Sequence, residues 1–196
     1  MRWTTAGRAP AAGGLLAAPT SSTPVPPTPP EGPAPHAHPV DGHPAVAATA
    51  HALAGLDATG QVVRLPAGAR TSAEVARHLG VAPAAVARSS LLRAPGDRLV
   101  LVLASGAHDL FPPVLAAVLG VPRLHPVGEV ETVRRTGSLP GCTSPVGLAE
   151  PLPTYVDVTL AVHPVLWVPA GHPRALFRTR YDELLRLAAA HPVEIG

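Results

Sequence analysis

The distribution of proline constrains this chain more than any other feature of its sequence. Eleven of its 26 prolines fall within the first 44 residues, in and around "TSSTPVPPTPPEGPAPHAHPVDGHP". Proline has no N–H to donate, and a segment of this composition cannot bury enough apolar surface to offset the entropy lost on ordering. We therefore expect a disordered or polyproline-like tail over residues 1–43 and one folded domain over residues 44–196.

The composition suits a single core built from small aliphatic residues. Of the 196 residues, 46% are hydrophobic but only 3% are aromatic, so Val, Leu and Ala must form the core. All 15 basic residues are Arg, and the net charge is +2 with an isoelectric point near 9.3. This charge permits contact with a phosphate backbone, but it lacks the clustering that would demonstrate nucleic-acid binding.

Several protein classes are excluded by what the sequence lacks. Cys142 is the only cysteine, and alone it can form neither an internal disulfide nor a thiolate zinc cage. No apolar run approaches the roughly 18 residues needed to span a bilayer. The segment "AAGGLLAAPT" is too short and too weakly apolar for a signal peptide. We therefore expect a soluble, cytoplasmic protein that does not bind membranes.

Helix and strand signals intermingle after residue 44. Helices are predicted at "PAVAATAHALAGL", "TSAEVARHLG", "PPVLAAVLG", "EVETVRRTG" and "TRYDELLRLAAAH". Thr71 and Glu74 form a capping box in the second of these, and Thr179 is predicted to cap the last. Strands are predicted at "QVVRL", within "APAAVARSSLLR" after a helical turn, and at "RLVLVLA", "TYVDVTL", "VLWVPAG" and "ALFRTR". The lack of a strict βαβ rhythm favours an α+β fold with a mixed sheet.

The loop-like stretch "LPGCTSPVGL" at residues 139–148 raises the main functional question. A nucleophilic Cys142 would need a nearby base and a lowered thiol pKa, and no known local signature surrounds it. Three histidines could serve as that base: His125, His163 and His172. The alternative is that the loop acts through its backbone and that the thiol is incidental.

Other catalytic motifs are weak. Ser105, His108 and Asp109 could be drawn as a Ser-His-Asp arrangement, but three polar residues in five positions are more simply a loop. No GxSxG elbow, phosphate-binding glycine loop or HExxH motif occurs. The HxH-type spacing of His36 and His38 is explained more simply by a polar tail than by a metal site.

Four motifs occur in an order that is typical of one protein family. "RTSAEVARHLGVAPAAVARSSLL" resembles a capped helix that leads into an (I/V)-x-K-(S/T)-L strand, and "DRLVLVLASG" resembles a central strand with a Ser-Gly turn. "TGSLPGCTSPVGL" is similar to a T-G-x-x-(I/V)-G-G-V-P-P-x-G-H loop. "LPTYVDVTL" and "VLWVPAG" resemble an L-P-x-x-(V/M)-D strand and a V-W-(V/A)-x-x-G strand. From about His43 onward the chain therefore resembles the YbaK/EbsC family of aminoacyl-tRNA editing domains, which is related to the insertion domain of prolyl-tRNA synthetase.

This resemblance implies a fold, an activity and a set of site residues. The fold would be α+β, with a mixed, barrel-like β-sheet and packed helices. The activity would be hydrolysis of the ester between a small amino acid, such as Ala or Cys, and a tRNA, probably tRNA(Pro), without metal or cofactor. Prolyl-tRNA synthetase is a further implied partner. Gly141 and Cys142 would present backbone N–H groups to the ester, and Arg88 would bind the substrate. The remaining residues would border or shape the pocket: Ser105, Gly106, Pro145, Gly147 and Asp157.

The chain departs from the family pattern at four positions. Arg88 stands where the family has lysine, Cys142 where it has a second glycine, Ser144 where it has a first proline, and Leu148 where it has histidine. Arginine binds carboxylates and phosphates in a forked manner that lysine cannot reproduce. These departures leave open a catalytically silent relative that binds tRNA or a synthetase without hydrolysis. A Cys142-dependent hydrolase of other substrates is a third hypothesis.

Overall fold

Five α-helices in the described part of the chain lie within the segments where the sequence predicts helices, although α5 is shorter than predicted. The computed structural model describes residues 40–67 and 71–195. Its helices are α1 (Pro44–Gly55), α2 (Ser72–Leu79), α3 (Pro112–Val118), α4 (Glu129–Thr136) and α5 (Tyr181–Leu187). The predicted capping box is present, because Thr71 Oγ1 accepts the N–H of Glu74 at 3.2 Å and the Glu74 side chain accepts the N–H of Thr71. Gly80 ends α2 in the left-handed conformation, which glycine adopts at low cost.

The strands form two sheets. They are β1 (Val62–Arg64), β2 (Ala87–Ala94), β3 (Arg98–Ser105), β4 (His125–Pro126), β5 (Thr154–Asp157), β6 (Leu166–His172), β7 (Ala175–Thr179) and β8 (His191–Val193). The larger sheet has the order β4-β2-β3-β5-β8, and the smaller has the order β1-β7-β6. β2 and β3 pair antiparallel, whereas β3 with β5 and β5 with β8 pair parallel. The predicted α+β class with a mixed sheet is therefore confirmed.

A single bridge joins the two sheets. Val86, just before β2, pairs in parallel with Trp167 of β6. The strands in the described part of the chain do not close into one barrel. β4 pairs only with Leu92 and Arg93 of β2, so the first half of that edge of β2 has no full partner strand beside the junction between the sheets.

The central strand β3 has apolar residues packed on both faces. Leu103 lies in one core with Val156, Phe177 and Leu184, all fully buried. Val102, on the opposite face, belongs to a second core that includes Leu115 of α3 and Ile195 of the last described segment. Because β3 has neighbouring strands on both sides and cores on both faces, it supplies a rigid support for the residues at its ends.

Several local predictions were wrong. The predicted strand "TYVDVTL" ends at Asp157, and a short 3-10 helix follows at Val158–Val162. Thr179 is not the cap of α5: Arg180 stands at that position, and the Thr179 hydroxyl donates to Glu183 Oε2 at 2.7 Å. The short strands β4 and β8 were not predicted.

The described part of the chain begins within the predicted tail. Residues 1–39, which make up most of the predicted tail, lie outside the described residues, and the tail stays a prediction. Val40 is buried in the core that contains Leu103. No helix within the described residues combines the length and the apolarity needed to cross a bilayer.

Candidate functional site

The stretch at residues 139–148 lies between the two sheets and is fixed to both. Gly141 forms an antiparallel bridge with Ser89 of β2. The carbonyl of Cys142 accepts the N–H of Gly171 of β6 at 2.8 Å. These contacts hold the loop at the place where β2 has no full partner strand.

The two residues at the centre of the loop differ in backbone conformation. Gly141 has a φ of +82°, in the left-handed region that favours glycine. Cys142 does not have a positive φ, so any residue could adopt its backbone conformation. The replacement of the family's second glycine by Cys142 therefore requires no strained backbone.

The N–H of Cys142 is already used inside the loop. It donates to the carbonyl of Leu139 at 3.0 Å, which closes a tight turn. The resemblance assigned this N–H to the substrate ester, but here it supports the loop instead. Gly141 is exposed, and it lines two neighbouring cavities, one on each side of the loop.

The thiol of Cys142 is poorly suited to nucleophilic attack. Burial raises its pKa to about 12, because an apolar environment disfavours the thiolate. His172 lines the same cavity, but its Nδ1 accepts the N–H of Arg174 at 3.0 Å. A reactive cysteine needs a lowered pKa, so the hypothesis of a Cys142-dependent hydrolase loses its chemical basis.

Arg88 extends from β2 toward the segment that follows β3. One of its Nη atoms donates to the main-chain carbonyl of His108 and lies 3.7 Å from Asp109 Oδ1. The side chain is 44% exposed, so its charge is accessible to a ligand. A solvated guanidinium can still contribute charge-assisted hydrogen bonds to an anionic group.

The segment that holds Arg88 is itself held by a buried carboxylate. Asp157 is fully buried, and its Oδ2 accepts the N–H of Ser105 at 3.0 Å and lies 3.0 Å from His108 Nδ1. Its Oδ1 accepts the N–H and the hydroxyl of Thr159 at 2.9 and 2.7 Å. Because an ionised carboxylate only accepts hydrogen bonds, His108 carries its proton on Nδ1.

The pKa of Asp157 reflects this network. Desolvation by burial raises it, but the hydrogen bonds from Thr159 and Ser105 and the nearby His108 together outweigh that effect and hold the pKa below its ordinary value. Asp157 lines neither cavity beside the loop. It acts on the site by fixing the segment after β3.

Two cavities meet at Arg88 and the loop. The larger has a volume of about 700 Å³ and extends along the open side of β2 toward the start of α3. The smaller has a volume of about 470 Å³ and lies between α2, β6 and β7. Both are lined by the same three residues: Arg88, Pro140 and Gly141. Such an arrangement could accept a two-part ligand whose parts join at these residues.

Of the other predicted site residues, one lines a cavity, and the rest are packed or hydrogen-bonded behind the cavity walls. Gly106 lines the smaller cavity, and a Cβ there would come within 2.4 Å of the carbonyl oxygen of Pro83. Ser105 is buried, and its hydroxyl donates to the Ala84 carbonyl at 3.0 Å. Pro145 is buried within the loop. Gly147 packs on α1, where an added Cβ would meet the carbonyl oxygen of Ala48 at 2.6 Å.

Sequence reasoning missed several residues that line the cavities. Ser89 and Phe111 lie in the wall of the larger cavity, and Ser72 and Leu176 lie in the wall of the smaller. No motif signals them, because their proximity depends on how distant segments pack. Ser89 alone could have been inferred, as the neighbour of Arg88 on a strand beside the loop.

Metal chemistry has no support in the described part of the chain. Within residues 40–67 and 71–195, no group of three His, Cys, Asp or Glu side chains is arranged to hold a metal ion. His36 and His38 lie outside these residues.

Comparison with known proteins identifies the family. The Aminoacyl-tRNA editing domain matches residues 66–187 of this chain. Proline--tRNA ligase from Bacillus licheniformis is 33% identical over 88 residues, which make up 45% of this chain and only 15% of the ligase. The crystal structure of a proposed trans-editing enzyme for prolyl tRNA synthetase is 32% identical, with a TM-score of 0.71, over 78% of this chain and 98% of that one. A scaffold protein from computational epitope grafting is 31% identical, with the same TM-score, over 78% of this chain and 97% of that one. The match over more than half of its length shows that this chain belongs to the aminoacyl-tRNA editing domain family.

Proposed function

We propose that this protein is an aminoacyl-tRNA deacylase, which removes a small mischarged amino acid such as Ala or Cys from tRNA(Pro). The observation that carries the proposal is the junction of two cavities at Arg88 and Gly141. An aminoacyl ester has an amino acid on one side and a ribose on the other, so it matches a junction of this kind. Family membership and the relatives named for prolyl-tRNA synthetase support the choice of tRNA.

The proposed reaction is hydrolysis of the ester. A water oxygen attacks the carbonyl carbon, and a tetrahedral oxyanion forms. The bond from this carbon to the ribose oxygen then breaks, and the ribose oxygen takes the proton lost by the water. The products are a free amino acid and a ribose hydroxyl. Hydrolysis of this kind needs no side-chain nucleophile, which fits the high pKa of Cys142.

Arg88 is the residue that we assign to the developing charge. It is the one arginine among the described residues that line both cavities. The N–H of Cys142 is donated to Leu139, so the oxyanion needs another donor. A guanidinium at the junction can supply it, and a well-placed donor to an oxyanion contributes about 2.7–4 kcal/mol in the best-measured cases.

The smaller cavity is the proposed site for the amino-acid side chain. Its walls combine small polar and aliphatic residues: Ser72, Ala73, Val75, Cys142, Ala175 and Leu176. The choice of alanine or cysteine follows from the family resemblance, and the cavity wall supplies mainly apolar contacts for such a side chain. Prolyl-tRNA synthetase is the proposed partner and the cytoplasm the proposed location, because mischarged tRNA(Pro) arises from that enzyme.

The decisive experiment is a deacylation assay on a panel of charged tRNAs. Purified protein is incubated with Ala-, Cys-, Ser- and Pro-tRNA(Pro) that carry a radiolabelled amino acid, and release of the label is measured. We expect release of Ala or Cys and retention of Pro. The Arg88→Ala variant serves as the matched control and should lose most of the activity.

A second candidate is a silent relative that binds tRNA or a synthetase without hydrolysis. The internal use of the Cys142 N–H favours it, because one of the backbone donors assigned to the ester is occupied. This candidate predicts a gel shift with tRNA but no release of any amino acid from the panel. Release of even one amino acid above the Arg88→Ala background contradicts it.

A further inference from the structure

Phe111 is an exposed aromatic residue at the N-terminal end of α3. It is 60% exposed, whereas Phe177 is fully buried. A single exposed apolar residue needs no functional explanation by itself. Phe111, however, also lies in the wall of the larger cavity, together with Arg88 and Gly141. Its position in the cavity wall, more than its exposure, indicates that it contacts a ligand.

The distance between Phe111 and the junction is controlled by the segment that connects them. Ser105 and His108 are held by the buried carboxylate of Asp157. The carbonyl of His108 in turn accepts a hydrogen bond from Arg88. Phe111 follows His108 by three residues, so these contacts hold the start of the segment that leads to Phe111 close to Arg88.

We propose that Phe111 is the stacking platform for the 3′-terminal adenine of tRNA. This inference rests on the proposed function, which puts the ester at Arg88 and Gly141. The base and the ester are joined to the same ribose, so the base must enter one of the two cavities that meet there. Only the larger one offers an exposed aromatic face. Its volume of about 700 Å³ lies within the range of about 300–1,000 Å³ that is usual for small-molecule sites.

A protein partner on α3 is the competing explanation. Val114 and Val118 are each 50% exposed and follow Phe111 on one side of the helix. Neither of them lines the cavity. Their substitution therefore separates the two explanations: a stacking site depends on Phe111 alone, whereas a docking surface depends on all three residues.

The test uses an uncharged RNA minihelix that ends in CCA, with 2-aminopurine in place of the terminal adenine. Stacking on an aromatic ring quenches the fluorescence of 2-aminopurine. We expect quenching with the wild-type protein, with Phe111→Tyr and with Phe111→Trp, but not with Phe111→Ala or Phe111→Leu. Loss of one stacked base should weaken binding by roughly 5- to 150-fold.

Matched controls keep the outcome interpretable. Val118→Ala lies on the same helix outside the cavity and should bind like the wild type. A thermal melt checks that each variant is folded, and Phe111→Leu preserves the apolar volume if Phe111→Ala does not fold. Equal quenching in Phe111→Leu and the wild type, or equal affinity for an RNA without its last nucleotide, would overturn the proposal.

This binding test is independent of hydrolysis. If no charged tRNA is deacylated but quenching depends on Phe111, the deacylase proposal fails and the stacking site stands. If deacylation is observed and Phe111→Ala changes neither turnover nor quenching, the stacking site fails and the deacylase proposal stands. Equal losses of affinity for a protein partner in Phe111→Ala and Val118→Ala, without quenching, would identify a protein-docking surface instead.

Discussion

The buried carboxylate of Asp157 lies 3.0 Å from His108 Nδ1, although 49 residues separate the two in sequence. The main-chain carbonyl of the same histidine accepts a hydrogen bond from Arg88. A residue that no substrate can reach is thus linked through one histidine to the cation at the cavity junction. We therefore expect Asp157 to act as a positioning residue, whose effect on activity passes through the segment after β3.

The Asp157→Asn variant tests this link. An amide keeps the shape but offers only one acceptor oxygen, so either the donors of Thr159 or those of Ser105 and His108 lose their partner. We expect the free energy of unfolding at pH 7 to fall by about 2–3 kcal/mol, as measured by urea denaturation. Asp109→Asn, whose side chain is 85% exposed on the same segment, should change it by less than about 0.5 kcal/mol.

The pH dependence of this stability has a definite sign. The pKa of Asp157 is lower in the folded protein than in the unfolded chain, so the carboxylate stabilises the fold above its unfolded pKa of about 3.9. That contribution is lost as the pH falls through the lower, folded-state pKa. The difference between wild type and Asp157→Asn should therefore persist from pH 7 to about pH 4 and narrow only below that. A difference that narrows already between pH 7 and pH 5 would show that another group is responsible.

Gly141 and Gly147 make a matched pair of positive-φ positions. An added Cβ at Gly141 meets nothing within 4 Å, so Gly141→Ala carries only the backbone strain, about 1–2 kcal/mol. At Gly147 the same strain is joined by a contact of 2.6 Å with the Ala48 carbonyl, and we expect a total loss of about 2–5 kcal/mol. Chemical denaturation measures both losses.

For the rate of deacylation we expect the opposite order, with the greater effect in Gly141→Ala. Gly141 lies at the cavity junction, whereas Gly147 packs on α1, so Gly141→Ala should reduce turnover more per unit of lost stability. Equal stability losses in the two variants would contradict the assigned contact at Ala48. Full activity in Gly141→Ala would contradict the role of the loop in the reaction.

Arg88 should matter for turnover and little for stability. Its side chain is half-exposed, and its removal breaks only contacts with His108 and Asp109. We expect Arg88→Ala to lower kcat/KM by about 100- to 1,000-fold, the range measured for the loss of one donor to an oxyanion. Arg88→Lys keeps the charge but loses the forked geometry, so it should remain within about tenfold of the wild type.

The control for Arg88 lies at the other end of the same hairpin. Arg98 is exposed and contacts only the carbonyl of Pro95 at 3.4 Å. Arg98→Ala removes an equal charge and should leave kcat/KM unchanged. If both variants lose activity equally, the effect comes from the overall charge, and Arg88 has no special position.

Local signals in the sequence predicted the helices well. Thr71 with Glu74, and Gly80, are separated by few residues, and their effects on the backbone do not depend on the rest of the fold. The cap of α5 was wrong for a physical reason: the Thr179 hydroxyl is used by Glu183, a residue that also binds Thr59 from a distant segment. Such competition cannot be seen in a local pattern.

The sequence motifs predicted which residues belong to the candidate site, but not which of them line the cavities and which support the site from behind. The order of motifs located Arg88, Gly141 and Asp157. It could not show that Asp157 lies behind the segment after β3 with no cavity surface, because that depends on the parallel pairing of β3 with β5. Phe111 was missed because an exposed aromatic residue has no periodic signature. Its proposed role depends on the cavity that it shares with Arg88.

The thiol of Cys142 should react slowly with alkylating reagents in the folded protein. With a pKa of about 12, only about one thiol in ten thousand is ionised at pH 8, and the thiolate is the reactive form. We expect iodoacetamide to label the folded protein at least about tenfold more slowly than free cysteine, even though a more basic thiolate is a stronger nucleophile. Urea-unfolded protein should be labelled at the ordinary rate.

Substitution completes the argument for Cys142. Because its backbone has no positive φ and its N–H and carbonyl contacts involve main-chain atoms alone, Cys142→Ala preserves the turn with Leu139 and the contact with Gly171. Deacylation should stay within about twofold of the wild type, which is about 0.4 kcal/mol. Loss of turnover in a Cys142→Ala variant that melts normally would return the thiol to the mechanism. Retained turnover would mean that the loop acts through its shape, which is held by Gly141 and by the hydrogen bond from Gly171.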